Sequence, residues 1–260
     1  HENEIAQSEA LTRKPFANYW IHNGLITVNG QKMSKSLGNS LTVKDVLNKY
    51  NKEVVKYMLL KNHYASSVDL NDQEFLQAEK HMYYFYKTFD DIDTFISKFD
   101  IDLNLEDEEV MKLPIENNPY EEFRIKFEEA MDDDFNNALA YANLFEIMKY
   151  INNLLANKKI EDNSKAKLLY ALKNRIIKLY NILSNFKQEP KEFMKELKNK
   201  YLSKLDITEN EILEKINERK LAKEQKDYTK ADEIRNTLDE KGIVLLDSKE
   251  GTDWNIKALS

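Results

Sequence analysis

The chain has no cysteine, and it has only five glycines and four prolines among its 260 residues. Without cysteine it has neither a disulfide nor a thiolate nucleophile, a pattern typical of a cytoplasmic protein. So few turn-forming residues exclude a fold built mainly of short strands and hairpins, and the sequence predicts a mainly α-helical protein. The chain also lacks a long apolar run and a basic-then-apolar N-terminal segment. We therefore expect no transmembrane helix, no signal peptide and no membrane partner.

Positive charge is in the minority, because 39 lysines and arginines are set against 46 aspartates and glutamates, for a formal net charge of −7. This sign excludes nucleic-acid binding through bulk positive charge, so any such binding must depend on a local basic patch. Charged residues make up 33% of the chain and hydrophobic residues 42%, a balance typical of globular proteins. The length is enough for one large domain or two compact ones.

Irregular backbone is concentrated near the amino end, where three of the five glycines fall within fifteen residues. Residues 25–28 predict a short strand. The Asn29-Gly30 pair that follows predicts a two-residue hairpin turn, because both positions tolerate positive φ. Thr42 predicts the N-cap of a helix that begins at Val43. A loop that connects a hairpin to a helix is therefore expected between these elements.

This loop reads Lys-Met-Ser-Lys-Ser-Leu-Gly-Asn over residues 32–39 and carries two ammonium groups, on Lys32 and Lys35. Lysine suits a triphosphate as a flexible point charge, and serine and glycine leave backbone N–H groups free to approach phosphate oxygens. We therefore predict Lys32 and Lys35 as catalytic residues that stabilise the charge developed in nucleotidyl transfer. A solvated turn is the alternative, and it is the common outcome for a generic pair of lysines at this spacing.

The five residues Lys-Met-Ser-Lys-Ser match the signature of the class I aminoacyl-tRNA synthetases completely, and their flanks resemble the cysteinyl-tRNA synthetase family. The resemblance includes His-Glu-Asn-Glu at residues 1–4 and Tyr-Trp-Ile-His-Asn-Gly at residues 19–24. It continues through Met-Asp-Asp-Asp-Phe-Asn at residues 131–136 to Gly-Thr-Asp-Trp at residues 251–254, so it spans nearly the whole chain. No Walker-type motif occurs, so a P-loop fold is not implied.

The resemblance implies that ATP, with its Mg²⁺, is a substrate bound by Lys35, the lysine that the family places nearest the phosphates. It also implies one zinc ion in the full-length enzyme, where the soft metal binds the thiolate of the substrate cysteine in preference to a hydroxyl. The family's zinc ligands are two cysteines, a histidine and a glutamate, and only the glutamate has a counterpart here, Glu4. We therefore expect an incomplete zinc site, with a solvated carboxylate as the alternative role of Glu4. The abrupt start at His1 adds to the expectation of a C-terminal piece of a longer protein.

The pattern along the chain predicts four parts. Residues 1–62 resemble the C-terminal end of a Rossmann-like class I catalytic domain, and residues 63–112 are expected to form the connecting helices of a stem. The acidic segment 100–109 is the candidate linker to a helical bundle at residues 113–205. Residues 206–260 predict a small mixed α/β module. Its predicted elements are helices over residues 209–224 and 228–240, then strands over residues 243–247 and 252–256.

This closing module is the candidate for RNA contact. It carries a local basic stripe at helical spacing, formed by Arg219, Lys220, Lys223 and Lys226. Tyr228 and Trp254 offer aromatic faces to unstacked bases, and nearby aspartates can accept hydrogen bonds from base amino groups. The tail is similar to that of the cysteinyl-tRNA synthetases, which read the GCA anticodon with a basic residue, an aromatic residue and two aspartates. The positions that match, and are predicted to bind tRNA, are Lys223, Tyr228, Asp232 and Asp247. A small solvated packing module is the alternative.

The resemblance thus predicts ATP-dependent ligation of cysteine to tRNA(Cys) through cysteinyl-adenylate, by a monomer in the cytoplasm. One alternative is a stand-alone RNA-binding helical protein without catalysis. Another is a paralogue that joins cysteine to an amino sugar, although such paralogues lack the closing module. We assign no chemistry to His22, His63 and His81, and we expect the acidic run at residues 132–134 to be a helix end.

Overall fold

The computed structural model describes residues 1–34, 36, 38–102, 104–248 and 251–259. The mainly helical prediction is confirmed across these residues. Their helices are α1 (Glu2–Thr12), α2 (Val43–Lys49), α3 (Lys52–Leu60), α4 (Asp72–Ile96), α5 (Asp107–Met111), α6 (Tyr120–Asp132), α7 (Asn137–Ala156), α8 (Asp162–Tyr180), α9 (Pro190–Leu202), α10 (Glu209–Glu224) and α11 (Tyr228–Glu240), with a final 3₁₀ turn at Lys257–Leu259. Their strands are β1 (Ile26–Val28), β2 (Gln31–Lys32), β3 (Val68–Leu70), β4 (Ile243–Asp247) and β5 (Thr252–Ile256). Among the helices described, none has the length and apolar character needed to cross a bilayer.

A three-stranded sheet with the order β2-β1-β3 lies near the amino end. β1 and β2 are antiparallel and joined by Asn29 and Gly30, whose φ angles of 50° and 75° confirm the predicted hairpin turn. β1 and β3 are parallel, and α2 and α3 lie between them in the chain. This is a βαβ connection, as we expect for the end of a Rossmann-like domain. The pairing with β3 was not predicted, because it joins residues about 40 positions apart in the sequence.

The carboxylate of Asp69, in β3, holds the hairpin in place. Its Oδ1 accepts a hydrogen bond from the Thr27 hydroxyl at 2.6 Å and another from the Gly30 backbone N–H at 2.8 Å. Its Oδ2 accepts one from the Asn71 amide at 2.7 Å. These donors favour the ionised carboxylate and lower the pKa of Asp69 from its ordinary value, with the Thr27 contact as the largest cause. The turn that leads into the lysine loop is therefore tied to the start of α4.

α4 is the central helix of the fold. Asn71 caps its first turn by accepting a hydrogen bond from the Glu74 N–H, and the helix then runs for 25 residues with one buried apolar face. Its buried face packs against α3, α7, α8 and α9, and its side also contacts the final 3₁₀ turn. The aromatic residues Tyr83, Tyr86 and Phe89 are buried in this core.

A buried carboxylate on α3 joins the hairpin unit to the bundle. Glu53 is fully buried, and its Oε2 accepts hydrogen bonds from the Tyr86 hydroxyl at 2.6 Å and the Phe186 N–H at 2.8 Å. Its Oε1 accepts a third from the Lys187 N–H at 2.8 Å. Burial is the main cause that raises the pKa of Tyr86 well above its ordinary value, and the hydrogen bond from its hydroxyl to Glu53 is the next. The phenol therefore stays protonated and acts as a donor. The loop between α8 and α9 is thereby fastened to α3 and α4.

The acidic segment expected to be a linker, residues 100–109, has mostly exposed side chains where it is described, and its role as a linker stays a prediction. It leads into α5, which packs on the bundle through Val110, a residue that is almost completely buried. Arg175 of α8 lies 3.5 Å above the Tyr120 ring and donates to Glu121 Oε2 at 2.8 Å. It also pairs with Asp107 of α5. A short helix without apolar periodicity gives little signal in the sequence, whereas its position here follows from the ion pair with Arg175 and from the burial of Val110.

The first 47 residues expose much of their apolar surface. α1, which the sequence does not predict, has no buried residue. Large apolar side chains exposed along this stretch are Leu11, Phe16, Tyr19, Trp20, Ile21, Leu25, Ile26, Leu41, Val43 and Leu47. The continuous hydrophobic core instead begins at Val28 and extends to Leu259. An exposed apolar stretch of this kind is characteristic of a surface that another part of a protein covers.

We expect Glu53→Gln to lower the free energy of unfolding by about 1–3 kcal/mol, because all three partners of the carboxylate are donors and an amide NH₂ would oppose one of them. Urea unfolding followed by circular dichroism measures the change. Glu129→Gln is the matched control, since Glu129 is an exposed helical glutamate, and its effect should stay within about 0.5 kcal/mol. Equal effects of the two substitutions would contradict the role given to Glu53.

We expect Asp69→Ala to accelerate hydrogen exchange of the Gly30 amide by roughly tenfold, because that N–H loses its carboxylate acceptor. NMR exchange at single residues measures it, with the exposed Asp132→Ala as control. In the unsubstituted chain the lowered pKa of Asp69 means that this protection is present above pH 3.8 and is lost as the pH falls through the folded-state pKa below that value. Unchanged Gly30 exchange in Asp69→Ala would show that the hairpin does not depend on this carboxylate.

Candidate functional site

The lysine loop begins directly at the hairpin. Lys32 is exposed at the end of β2, opposite Thr27 in the ladder, and Met33 beside it packs against the core. The Asn39 side chain closes the loop, since its Oδ1 accepts from the Ser34 N–H at 2.9 Å and its Nδ2 donates to the Lys32 carbonyl at 3.2 Å. The described residues of this loop form no regular helix, and Lys32 lies at the end of the strand from which the loop emerges. Lys35, the other predicted catalytic residue, lies outside the described residues.

Glu4, the predicted zinc ligand, is exposed on α1. The part of the chain that the structure describes contains no group of three or more His, Cys, Asp or Glu side chains able to hold a metal ion. His1 is nearby in sequence, but its ring stacks on that of His22, with 5.4 Å between the ring centroids. These residues do not fit a closed zinc site, and we derive no chemical step through zinc.

The other two histidines have packing partners. His81 is on α4, and its Nδ1 lies 2.7 Å from the Tyr57 hydroxyl; burial lowers the pKa of His81. The His63 Nε2 lies 3.1 Å from the Asp134 carbonyl oxygen, and the Tyr64 hydroxyl donates to the Asp134 carboxylate at 2.8 Å. α6 ends at Asp132, so the acidic run is the predicted helix end. The contacts of Asp134 with His63 and Tyr64 join the loop after α3 to the bundle.

The closing module has the predicted order of two helices and two strands. Thr208 caps α10 with a reciprocal capping box to Glu211, and β4 and β5 pair antiparallel from Ile243↔Ile256 to Asp247↔Thr252. α9 packs on β5, which connects the module to the bundle.

Two of the predicted RNA-binding residues share one exposed helix face. Tyr228 is 63% exposed and Asp232 is also exposed, and both lie in the first turns of α11. A separation of four residues places their side chains on adjacent turns of the same face. An aromatic ring and a carboxylate acceptor are thus presented together, the combination that binding of an unstacked base requires.

Asp247, at the end of β4, is surrounded by donors from α10 and β5. Arg219 Nη1 donates to Oδ1 at 2.7 Å and Arg219 Nη2 donates to Oδ2 at 2.8 Å. The Thr252 hydroxyl donates to Oδ1 at 2.7 Å, and Lys223 Nζ lies 3.5 Å from Oδ2. The hydrogen bond from Arg219 is the largest cause of the strongly lowered pKa of Asp247. Sequence reasoning missed Thr252, although the strand register that places it opposite Asp247 follows from the short turn between the strands.

Two expectations for this module are wrong. Trp254 offers no face to RNA, because it is only 5% exposed and Lys198 Nζ lies 4.3 Å above its ring. Its position opposite Leu245 puts it on the inner face of the hairpin. Arg219 is not part of an exposed basic stripe, because it is 3% exposed and paired with Asp247. The exposed lysines of the stripe are Lys220, Lys223 and Lys226.

Two family models match parts of this chain. Residues 1–80 match the family model described as tRNA synthetases class I (C) catalytic domain, and residues 126–187 match the DALR domain. The first match contains the hairpin and its lysine loop, and the second lies within the predicted bundle. The four-part division of the chain stays a prediction.

Proteins similar to this chain along its length are named cysteine–tRNA ligase. That of Geobacter metallireducens is 43% identical over 258 residues, which cover 99% of this chain and 52% of that protein. Those of Geotalea uraniireducens and Thermodesulfovibrio yellowstonii are each 41% identical and cover 99% of this chain, but 53% and 51% of their own lengths. The chain therefore spans about half the length of the curated relatives it matches.

Among solved structures, a LeuRS–tRNA–LeuAMS ternary complex from Agrobacterium radiobacter K84 matches 72% of this chain and 25% of its own, with a TM-score of 0.46 and 17% identity. That likeness is too weak to bear on function. The sequence relatives and the two family models, in contrast, agree with each other and with the lysine hairpin. Over 99% of its length the chain is similar to proteins named cysteine–tRNA ligase, and the segment that carries the lysine hairpin matches a class I tRNA synthetase catalytic domain.

Proposed function

We propose that this chain is the part of a cysteine–tRNA ligase that presents the lysine loop to ATP and reads tRNA(Cys) with its closing module. The observation that carries the proposal is the hairpin, because Asp69 and Asn39 hold the base of a cationic loop at a fixed place outside any helix. The relatives named cysteine–tRNA ligase support the choice of amino acid.

In the proposed reaction, the carboxylate of cysteine attacks the α-phosphorus of ATP, and the bond from that phosphorus to the leaving pyrophosphate breaks. Negative charge increases on the phosphate oxygens as this bond breaks. Lys35 stabilises the pyrophosphate and Lys32 assists, since an ammonium already in place lowers the barrier without reorganisation of solvent. The products are cysteinyl-adenylate and pyrophosphate, and the cysteinyl group then passes to the 3′ end of the tRNA.

The exposed apolar side chains of the first 47 residues support the same proposal. Leu25 is 63% exposed and Val43 is 74% exposed, on either side of the lysine loop. Such residues normally lie under another element, because each large apolar side chain left in water forgoes about 1.5–3 kcal/mol of burial. We propose that they pack against the remainder of a class I catalytic domain.

The closing module supplies the contact with the anticodon in this proposal. Tyr228 stacks on an unstacked base, Asp232 accepts from a base amino group, and Lys223 adds positive charge within an acidic protein. A stand-alone RNA-binding protein would use the same module without ATP turnover. A ligase for an amino sugar does not bind tRNA and would not need this module.

The catalytic part is tested in a chimera that joins this chain to the remaining part of the Geobacter metallireducens relative. We expect cysteine-dependent exchange between ATP and pyrophosphate, and Lys35→Ala should reduce its rate at least about tenfold, because a stabilising charge is lost. Lys44→Ala, which removes an exposed lysine from α2, is the control and should leave the rate unchanged. Near-normal exchange in Lys35→Ala would refute the role assigned to this lysine, and tRNA binding without any exchange in the chimera would favour the stand-alone RNA-binding protein.

The RNA-binding part is tested with this chain alone. We expect it to bind tRNA with a GCA anticodon more tightly than the same tRNA with a changed anticodon, and Tyr228→Ala should weaken cognate binding about tenfold, because one base loses its stacking partner. Filter binding measures both affinities. The control is Tyr19→Ala, since Tyr19 is 90% exposed and lies outside the closing module. Failure to bind tRNA would favour the amino-sugar ligase.

A further inference from the structure

We propose that Arg219 is a positioning residue for anticodon reading, which fixes the carboxylate of Asp247 so that only the acceptor site beside Lys223 can be exchanged for a base. This inference rests on the proposed function of the closing module. It separates two residues, Arg219 and Lys223, that sequence analysis places together in one basic stripe.

Arg219 is placed to hold the carboxylate rather than to touch RNA. Its side chain is 4% exposed, and its two terminal nitrogens donate in parallel to the two oxygens of Asp247. A bidentate pair of this kind fixes the plane of the carboxylate, which a single contact from a lysine does not. Because Arg219 is on α10 and Asp247 ends β4, the pair also fixes the helix against the sheet.

The acceptor capacity of Asp247 is nearly used up inside the protein. A carboxylate has about four acceptor sites, two on each oxygen. Arg219 and Thr252 occupy both sites of Oδ1 and one of Oδ2 with bonds of 2.7–2.8 Å. The fourth partner, Lys223 Nζ, is at 3.5 Å, the outer limit of a hydrogen bond. It is the weakest of the four contacts and therefore the one that a ligand can replace.

Lys223 can leave this position, because its side chain is 42% exposed. When a base amino group takes the Oδ2 site, the ammonium is released toward a phosphate or a base carbonyl. The Arg219 guanidinium cannot move away from Asp247 in the same way, since it is buried and would lose its only ion pair within the described residues. One carboxylate therefore offers a single acceptor in one direction, which is a condition for telling one base edge from another.

The charge of Asp232, the other aspartate predicted to contact the anticodon, also acts on Arg219. The pKa of Arg219 is raised mainly by its hydrogen bond to Asp247, and the negative charges of Asp247 and Asp232 add to this effect. Its Nε is buried without a hydrogen-bond partner in the described structure, so the guanidinium is held by the Asp247 carboxylate alone. The position of the guanidinium thus depends on Asp247 as much as the reverse.

The experiment compares Arg219→Met with Arg235→Met in the full chain. Arg235 is an exposed arginine on α11, so its substitution removes the same charge from the same module. The measurements are the dissociation constants for tRNA with a GCA anticodon and for the same tRNA with a changed anticodon, each over a series of salt concentrations. We expect Arg219→Met to reduce the ratio of the two constants at least about tenfold while the salt dependence stays unchanged, because no phosphate contact is lost. Arg235→Met should leave the ratio as it is.

Asp247→Asn and the double variant test whether the two residues act as a unit. We expect the double variant to discriminate no worse than either single variant, since both remove the same oriented acceptor. A ratio that survives Arg219→Met, or a salt dependence that falls as for a lost phosphate contact, overturns the proposal. If the unsubstituted chain shows no anticodon preference, the proposed function fails and this proposal fails with it.

Circular dichroism establishes that each variant is folded at the assay temperature. Should Arg219→Met not fold, Arg219→Lys and Thr252→Val test the same carboxylate with smaller changes. Lysine keeps the positive charge of Arg219 but cannot donate two parallel hydrogen bonds to the carboxylate. Valine keeps the shape of threonine but not its hydroxyl. Each is expected to reduce discrimination between the two tRNAs, and an unchanged ratio in both overturns the proposal.

Discussion

The arrangement of this molecule depends on the buried carboxylate of Glu53. Its three donors come from α4 and from the loop between α8 and α9, so one side chain on α3 connects elements far apart in the sequence. A buried anion with all its donors in place specifies one relative position, because displacement would leave a charge and several N–H or O–H groups unsatisfied. The hairpin with the lysine loop is joined to α3 through α2, so this contact also sets where the loop stands relative to the helices.

Elements with local signals were predicted well. The N-cap at Thr42, the Asn29-Gly30 turn and the two helices of the closing module were all read from residues within a few positions. α1 and α5 were missed because neither has an apolar stripe with helical spacing, and α5 is held by an ion pair from a distant helix. The parallel pairing of β1 with β3 has no local signature at all, since it depends on how the intervening helices pack.

In the candidate site, too, the features with a local sequence signal were predicted and those that depend on packing were not. Tyr228 and Asp232 are exposed on one face, as helical spacing alone indicates. Trp254 and Arg219 were assigned to the surface by residue type, whereas strand register and ion pairing bury both. Composition identifies which side chains could meet RNA. The inner or outer position of each one is a property of the packed module, and only the fold supplies it.

α4 has a consequence for communication between the ends of the molecule. With 25 residues it is about 37 Å long, and it begins at the base of the hairpin and packs against α9 and the final turn of the chain. Long helices curve gently rather than break unless a kink interrupts them, so α4 spaces these regions as one continuous element. The separation between the lysine hairpin and the closing module is consequently set by the length of one helix, so that lengthening or shortening α4 by a turn would change the span of the whole molecule.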